Sequence, residues 1–323
     1  MKYRLVFRRR GRGSTSKRLK RISTTSVRAA EPTNAAPVGR PVVLRAKPRP
    51  DDETAPRQHA LMDRFRVEAI VADDGTKCTA AVVELRTNRR ATLTTCALGG
   101  GNDWDTWERF AHECRVLRSL AHPGVPRYLE HATSDTLAHL LTERVEGRSL
   151  AARMERDERW SDTKLRHILV RMLDVLAYLH ELNPPVFHCD VHPGAIVVSD
   201  RGDVTLTGFG RARSKLAGDD DRAEPIGRAG YVPDAPWRFT ASPAIDLYAL
   251  AATIVAIASG RDAAMLPRAG QTIAVEACMK PSPLRDGIRA LLVDDPAQCI
   301  AAAARLRKKL SGGDSGAGPG ASR

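Results

Sequence analysis

Between Val186 and Ile196 the chain reads VFHCDVHPGAI, which sets His188, Cys189, Asp190 and His192 within five positions. Imidazole and carboxylate both suit zinc, iron or manganese, so His-x-Asp-x-His can present three donors to a cation. The same residues can instead form a loop whose aspartate accepts a proton from a substrate. The spacing alone leaves both chemistries open. Cysteine narrows them little: Cys78, Cys96, Cys114, Cys189, Cys278 and Cys299 never approach a CxxC spacing. Neither a zinc ribbon nor a disulfide framework is written here, and a reducing compartment fits.

The elements that must hold these residues come from a chain of 323 residues, 42% hydrophobic and 28% charged. That is globular material, enough for one large domain or two small ones. The formal net charge of +13 is unevenly placed. Eleven of the 51 basic residues, and none of the 38 acidic ones, lie in residues 1–30. The remainder is close to neutral, which argues against nucleic-acid binding by the folded part.

Residues 1–30 are rich in Arg, Ser and Thr, free of acid, and end in Val27-Arg28-Ala29-Ala30. This composition predicts an organellar transit peptide, plastid rather than mitochondrial because its first residues form no amphipathic helix. The alternative is a basic nuclear or phosphate-binding arm. Residues 31–62 carry six prolines and read as a linker, and the Gly/Ser-rich residues 311–323 read as a disordered tail.

The fold is expected over 63–310. FRVEAIVADDGTKCTAAVVELRTNRRATLTTCAL offers β-branched runs broken at Asp73-Asp74-Gly75 and Asn88-Arg89-Arg90, hence three strands. Phe110, Cys114, Leu117 and Leu120 form a helical stripe that His122-Pro123-Gly124 ends. Two more strands follow in VPRYLEHA and LAHLLTERV, then a helix with Leu165, Ile168, Leu169, Met172, Leu173, Leu176 and Leu179 on one face. The most apolar run, Leu247–Ser259, falls short of the roughly twenty residues a membrane span needs and reads as a buried helix. Strands first and helices after predict a two-part α+β architecture.

In that order of elements, NPPVFHCDVHPGAIVVSDRGDVTLTGFGRAR resembles the catalytic core of bacterial-type Ser/Thr protein kinases, including those of cyanobacteria and plastids. The resemblance implies a two-lobed fold, with a β-rich N-lobe at about 63–142 and a helical C-lobe at about 143–310. Against HRDxKPxN the chain keeps His188, Asp190 and Pro193, and has Cys189, His192 and Ala195 for the arginine, lysine and asparagine. The resemblance makes Asp190 the proton-accepting base and His192 the stand-in for the catalytic-loop lysine. Ala195 and, in LTGFG, Gly208 occupy the two magnesium-ligand positions.

At the implied ATP site, Thr94 falls at the phosphate-gripping lysine, and its expected helix partner Glu113 is left without an ion pair. Thr142 is a further ATP-site position. VADDGTK replaces the glycine-rich loop with one glycine and two aspartates of the wrong sign. Lys77 reads as an exposed strand residue; the alternative is a relocated phosphate lysine of the kind used by with-no-lysine kinases, with His192 lending further positive charge. By analogy with a lost oxyanion donor, each missing electrostatic group costs roughly 3 to 4 kcal/mol, and the lysine and both metal anchors about 10 kcal/mol.

The expectation is therefore a pseudokinase that binds another protein and uses no cofactor, with ATP and magnesium implied only if the active alternative holds. Framework positions are kept better. Asp246 stands where kinases fix the catalytic-loop backbone through a buried carboxylate. GRAGYVPDAPW resembles GTxGYxAPE, with Ala235 for the glutamate, and Cys299 replaces the arginine that would pair with it. Losing both avoids a lone buried charge. From Gly208 to Ala235 only Ser214 and Tyr231 carry hydroxyls, so control by loop phosphorylation is not expected, and Asp219–Asp221 read as a solvated run. In the family the two histidines point apart, which disfavours a metal site.

Overall fold

The three strands predicted from the β-branched runs form as β1 (Phe65–Asp73), β2 (Lys77–Glu84) and β3 (Arg90–Ala97). The computed structural model describes residues 63–98, 104–134, 136–214 and 226–311. The expected transit segment and linker, the acidic run Asp219–Asp221 and residues 312–323 of the tail lie outside the described residues. Helix α1 (Trp104–Ser119) follows, then β4 (Tyr128–Thr133) and β5 (Leu137–Glu143). The strands pair antiparallel in the order β1-β2-β3-β5-β4.

Strand alternation gives this sheet two different faces. Ala80, Val82, Ala91, Leu93 and Leu141 pack with Phe65 on one. Cys96, Ala138 and Leu140 lie on the other, in one core with Phe110, Cys114 and Leu117 of α1. The sheet curls, because Arg64, just before edge strand β1, reaches both Glu84 and Glu130 of the opposite edge strand β4 at 2.7 Å.

After β6 (Arg148–Ser149) and the short α2 (Leu150–Met154), the helical lobe is built on α3 (Asp162–Glu181), α4 (Pro243–Ser259), α5 (Pro283–Leu291) and α6 (Pro296–Ser311). Ser161 caps α3 through the amide of Lys164, and the predicted apolar stripe is buried together with Val175. Helix α4 is buried from Ala244 to Ile257, as an all-round apolar helix must be, and ends at Gly260 in the left-handed conformation. No helix among the described residues is long and apolar enough to cross a membrane. On this base sit β7 (Val186–Phe187), the hairpin β8 (Ile196–Val198) and β9 (Val204–Leu206), and β10 (Arg213–Ser214), paired with β7. The loop from His188 to Ala195 is thereby held over α4, with Pro193 tied to α2 and Ala195 to Thr207.

Candidate catalytic cleft

Asp246 is fully buried on α4. Its carboxylate accepts the backbone N–H of His188 at 2.8 Å, that of Cys189 at 2.7 Å, and Nε2–H of His180 at 2.9 Å. These bonds explain how Cys189 holds φ +61°, a left-handed conformation that non-glycine residues seldom adopt. Cys189 is buried against Ile226 and Ile245. The expectation that Asp246 fixes this loop matches the geometry.

His188 is likewise fully buried. Its Nε2–H donates to the Thr207 carbonyl at 3.1 Å, Nδ1 accepts the Asp190 N–H at 3.3 Å, and the ring stands edge-on to Phe209 at 4.8 Å. Both ring nitrogens are spent, so this histidine is a framework residue. Burial lowers its pKa, against the pull of Asp246 and Asp190. His192 turns Nδ1 to the Gly194 N–H at 3.0 Å. Among the described residues no group of three His, Cys, Asp or Glu is placed to hold a metal ion.

Burial pushes His192 down to about 4, opposed chiefly by Asp190. The ring is neutral at pH 7, which corrects the alternative in which it lends positive charge to a phosphate: desolvation outweighs the neighbouring carboxylate. Asp190 itself is 11% exposed and already engaged. Arg228 donates from Nε to Oδ1 at 3.0 Å and from Nη2 to Oδ2 at 3.5 Å, and Arg211 brings Nε to 3.9 Å from Oδ2.

Ala195 is buried, and its carbonyl accepts both the N–H and Oγ1–H of Thr207, at 2.8 and 3.0 Å. Gly208 adopts φ +84°, with nothing within 4 Å of where a Cβ would lie. Space for a side chain exists at Gly208, but no side-chain oxygen does.

On the phosphate side, β2 pairs with β3 in a register that sets Lys77 beside Cys96 and Thr79 beside Thr94. Lys77 therefore points to the same face as Thr94, toward α1. Its Nζ lies 2.9 Å from Oε2 of Glu113, whose side chain is 8% exposed. This corrects two expectations, that Lys77 is merely an exposed strand residue and that Glu113 lacks its ion pair. The lysine is displaced onto the neighbouring strand, and cross-strand register supplies what the β3 position does not. Its side chain keeps 35% exposure along its length. Burial of the ammonium end opposes the charge, but Glu113, helped by Cys96 and Asp74, outweighs it and raises the pKa.

Thr94 contributes only a hydroxyl 3.4 Å from that of Thr79, and Thr142 is buried beside Thr92 across the sheet. Glu113 closes down on the cleft, since a Cβ at Gly210 would stand 3.3 Å from its Oε2. The turn before Lys77 is closed on itself. Asp73 accepts the Gly75 N–H at 2.9 Å, and Asp74 accepts those of Thr76 and Lys77 at 2.9 and 2.7 Å. Burial works against the Asp74 charge, yet these amide bonds hold its carboxyl below the usual range.

Residues 78–282 match the protein kinase domain family. The chain belongs to the protein kinase superfamily. It is similar to the serine/threonine-protein kinase PknA of Mycobacterium tuberculosis, 29% identical over 260 residues that make up 73% of this chain and 58% of that one. It is also similar to PknA of Nostoc, 29% identical over 178 residues, covering 51% of this chain and 31% of that protein. A third similarity is to human serine/threonine-protein kinase tousled-like 1, 30% identical over 112 residues, covering 33% and 14%. The chain spans less than two thirds of the length of these relatives.

For a kinase domain, the fit to magnesium-bound nucleotide is poor. The two positions that would hold the metal offer only Ala195 and Gly208, and the loop amides that would cradle phosphate already bind Asp73 and Asp74. Four residues at or under the site escaped the sequence reading, Arg211 among them. Arg228 stands at the threonine of GTxGYxAPE, and an arginine in place of that hydroxyl residue was the available signal. His180 and Trp237 gave none. Trp237 donates Nε1–H to the Asp294 carbonyl at 2.6 Å and meets Tyr248 edge-on. It ties the segment end to the α5–α6 loop, where Ala235 and Cys299 leave no ion pair.

Proposed function

We propose that this kinase domain is a catalytically impaired pseudokinase that serves as a protein-binding or regulatory module. The observation that carries the reading is Asp190 engaged by Arg228 at 3.0 Å, beside two metal positions without side-chain oxygens. Both Asp190 oxygens already accept from Arg228, so a substrate hydroxyl would have to compete with a guanidinium for them. Without metal, a transferred phosphoryl group lacks the magnesium that bridges the phosphates and neutralises the developing charge. Plastid localisation is part of the proposal and rests on the composition of residues 1–30; import assays with that segment fused to a reporter address it.

One observation favours a second reading, a divergent active Ser/Thr kinase. The Lys77–Glu113 pair at 2.9 Å reconstitutes the lysine–glutamate contact of an active site from a different strand. Thermal unfolding with ATP separates the two. A ligand at a hundred times its Kd stabilises by about 2.7 kcal/mol. The pseudokinase reading expects an unchanged melting temperature across millimolar ATP, with or without Mg²⁺ or Mn²⁺. A metal-dependent rise, with phosphate transfer that Asp190→Asn abolishes, would overturn it.

A further inference from the structure

Among the described residues, Asp190 is met by two guanidiniums, those of Arg228 and Arg211. Arg228 and Arg211 are 55% and 51% exposed, so both open to solvent. Arg228 spends Nε and Nη2 on Asp190. Arg211 approaches the same carboxylate at 3.9 Å, too far for a hydrogen bond, and its side chain forms none among the described residues. Since a guanidinium has five N–H donors, most of the donor capacity here is unspent. Among the described residues, these three side chains together carry one positive charge, at the spot where other kinases concentrate acidic groups around magnesium. On the nucleotide side, the turn amides of Gly75, Thr76 and Lys77 are already taken by Asp73 and Asp74, and Lys77 is paired with Glu113.

We infer that this cleft is a metal-independent site for a phosphorylated serine or threonine segment of a partner protein, gripped by Arg211 and Arg228. The inference rests on the pseudokinase reading, since magnesium-bound nucleotide would claim the same ground. A phosphate monoester carries about −1.5 to −2 charge and three acceptor oxygens. It can therefore bridge two guanidiniums that approach from different segments, which a planar carboxylate does less well. Asp190 opposes the ligand by like charge and by holding Arg228.

The test is fluorescence anisotropy with the full chain, EDTA and no nucleotide. The probe is a fluorescein-labelled peptide mixture with one fixed phosphothreonine and randomised flanks. It should bind at least about tenfold more tightly than the same mixture with threonine or glutamate, the least that charge-assisted hydrogen bonds provide. Arg211→Gln and Arg228→Gln should each weaken binding about tenfold, also from charged hydrogen bonds. Asp190→Asn should tighten it, the reverse of its effect on a kinase reaction.

Equal affinity for the three mixtures overturns the inference, as does weaker binding by Asp190→Asn. So does displacement of the probe by ATP as readily as by unlabelled phosphopeptide. Among the described residues the only ion pair of Arg211 is the 3.9 Å approach to Asp190, so its variant tests the site even if Arg228→Gln fails to fold. Failure here leaves the ATP melting experiment untouched, and a metal-dependent ATP response sinks the pseudokinase reading whatever the peptides do.

Discussion

Below the catalytic loop, Asp246 accepts three hydrogen bonds of 2.7 to 2.9 Å with no exposed surface of its own. Above it, Asp190 faces Arg228 and Arg211, both half exposed, and the residues expected to hold metal are alanine and glycine. The lower side is intact and the upper side is rebuilt. A buried carboxylate cannot be lost without stranding the amides it serves, so folding alone retains Asp246. An exposed position such as Arg211 or Arg228 costs the fold little when it changes, so such groups facing a ligand are free to drift or be reassigned. A sound framework under a loop is therefore evidence of folding and says little about turnover.

The widest break in this comparison should come from Asp246→Ala. Two backbone N–H groups and a histidine would lose their acceptor in a buried site, at a cost of about 3 to 5 kcal/mol. Denaturant unfolding measures it, and a loss below about 1 kcal/mol would deny Asp246 its framework role.

On the upper side, His192 supplies a smaller effect with a defined sign. Its folded pKa of about 4 lies below the ordinary value near 6.5, so the unfolded chain takes up the proton first as pH falls. Stability is full above about pH 6.5 and is lost as pH drops toward 4; one such group removes about 2 kcal/mol between pH 7 and 5. Unfolding of His192→Gln at the two pH values should show a loss smaller by that amount, and equal losses would mean that the ring is solvated.

The smallest change is expected from Lys77→Met. Glu113 would lose its partner, but the 35% exposure of the lysine screens the pair, so the cost should be about 1 kcal/mol. A cost several times larger would move Lys77 from the adaptable upper side to the framework.

Much of the fold was legible. The helical stripe from Leu165 to Leu179, the buried run in α4 and the turns at Asp73-Asp74-Gly75 and Asn88-Arg89-Arg90 are local patterns with local causes. The kept and missing groups at Asp190, Ala195 and Gly208 were also legible, because neighbouring matches fix their positions. Contacts between segments far apart in the chain were not. Lys77 meets Glu113 across 36 positions, Arg228 meets Asp190 across 38, and Trp237 meets Asp294 across 57. The Lys77 contact depends on which strand face a residue occupies after pairing; the other two depend on how segments remote in the chain meet in the C-lobe.

By itself, then, the sequence determined the order of elements, the kinase-like core and the absence of metal-binding side chains at the two expected positions, since periodicity and residue type are properties of the chain. Only the tertiary structure decided that Glu113 has a lysine after all, that His192 is neutral, and that Asp190 is held by arginine. Those outcomes rest on distance and desolvation, which exist only once remote segments have packed together.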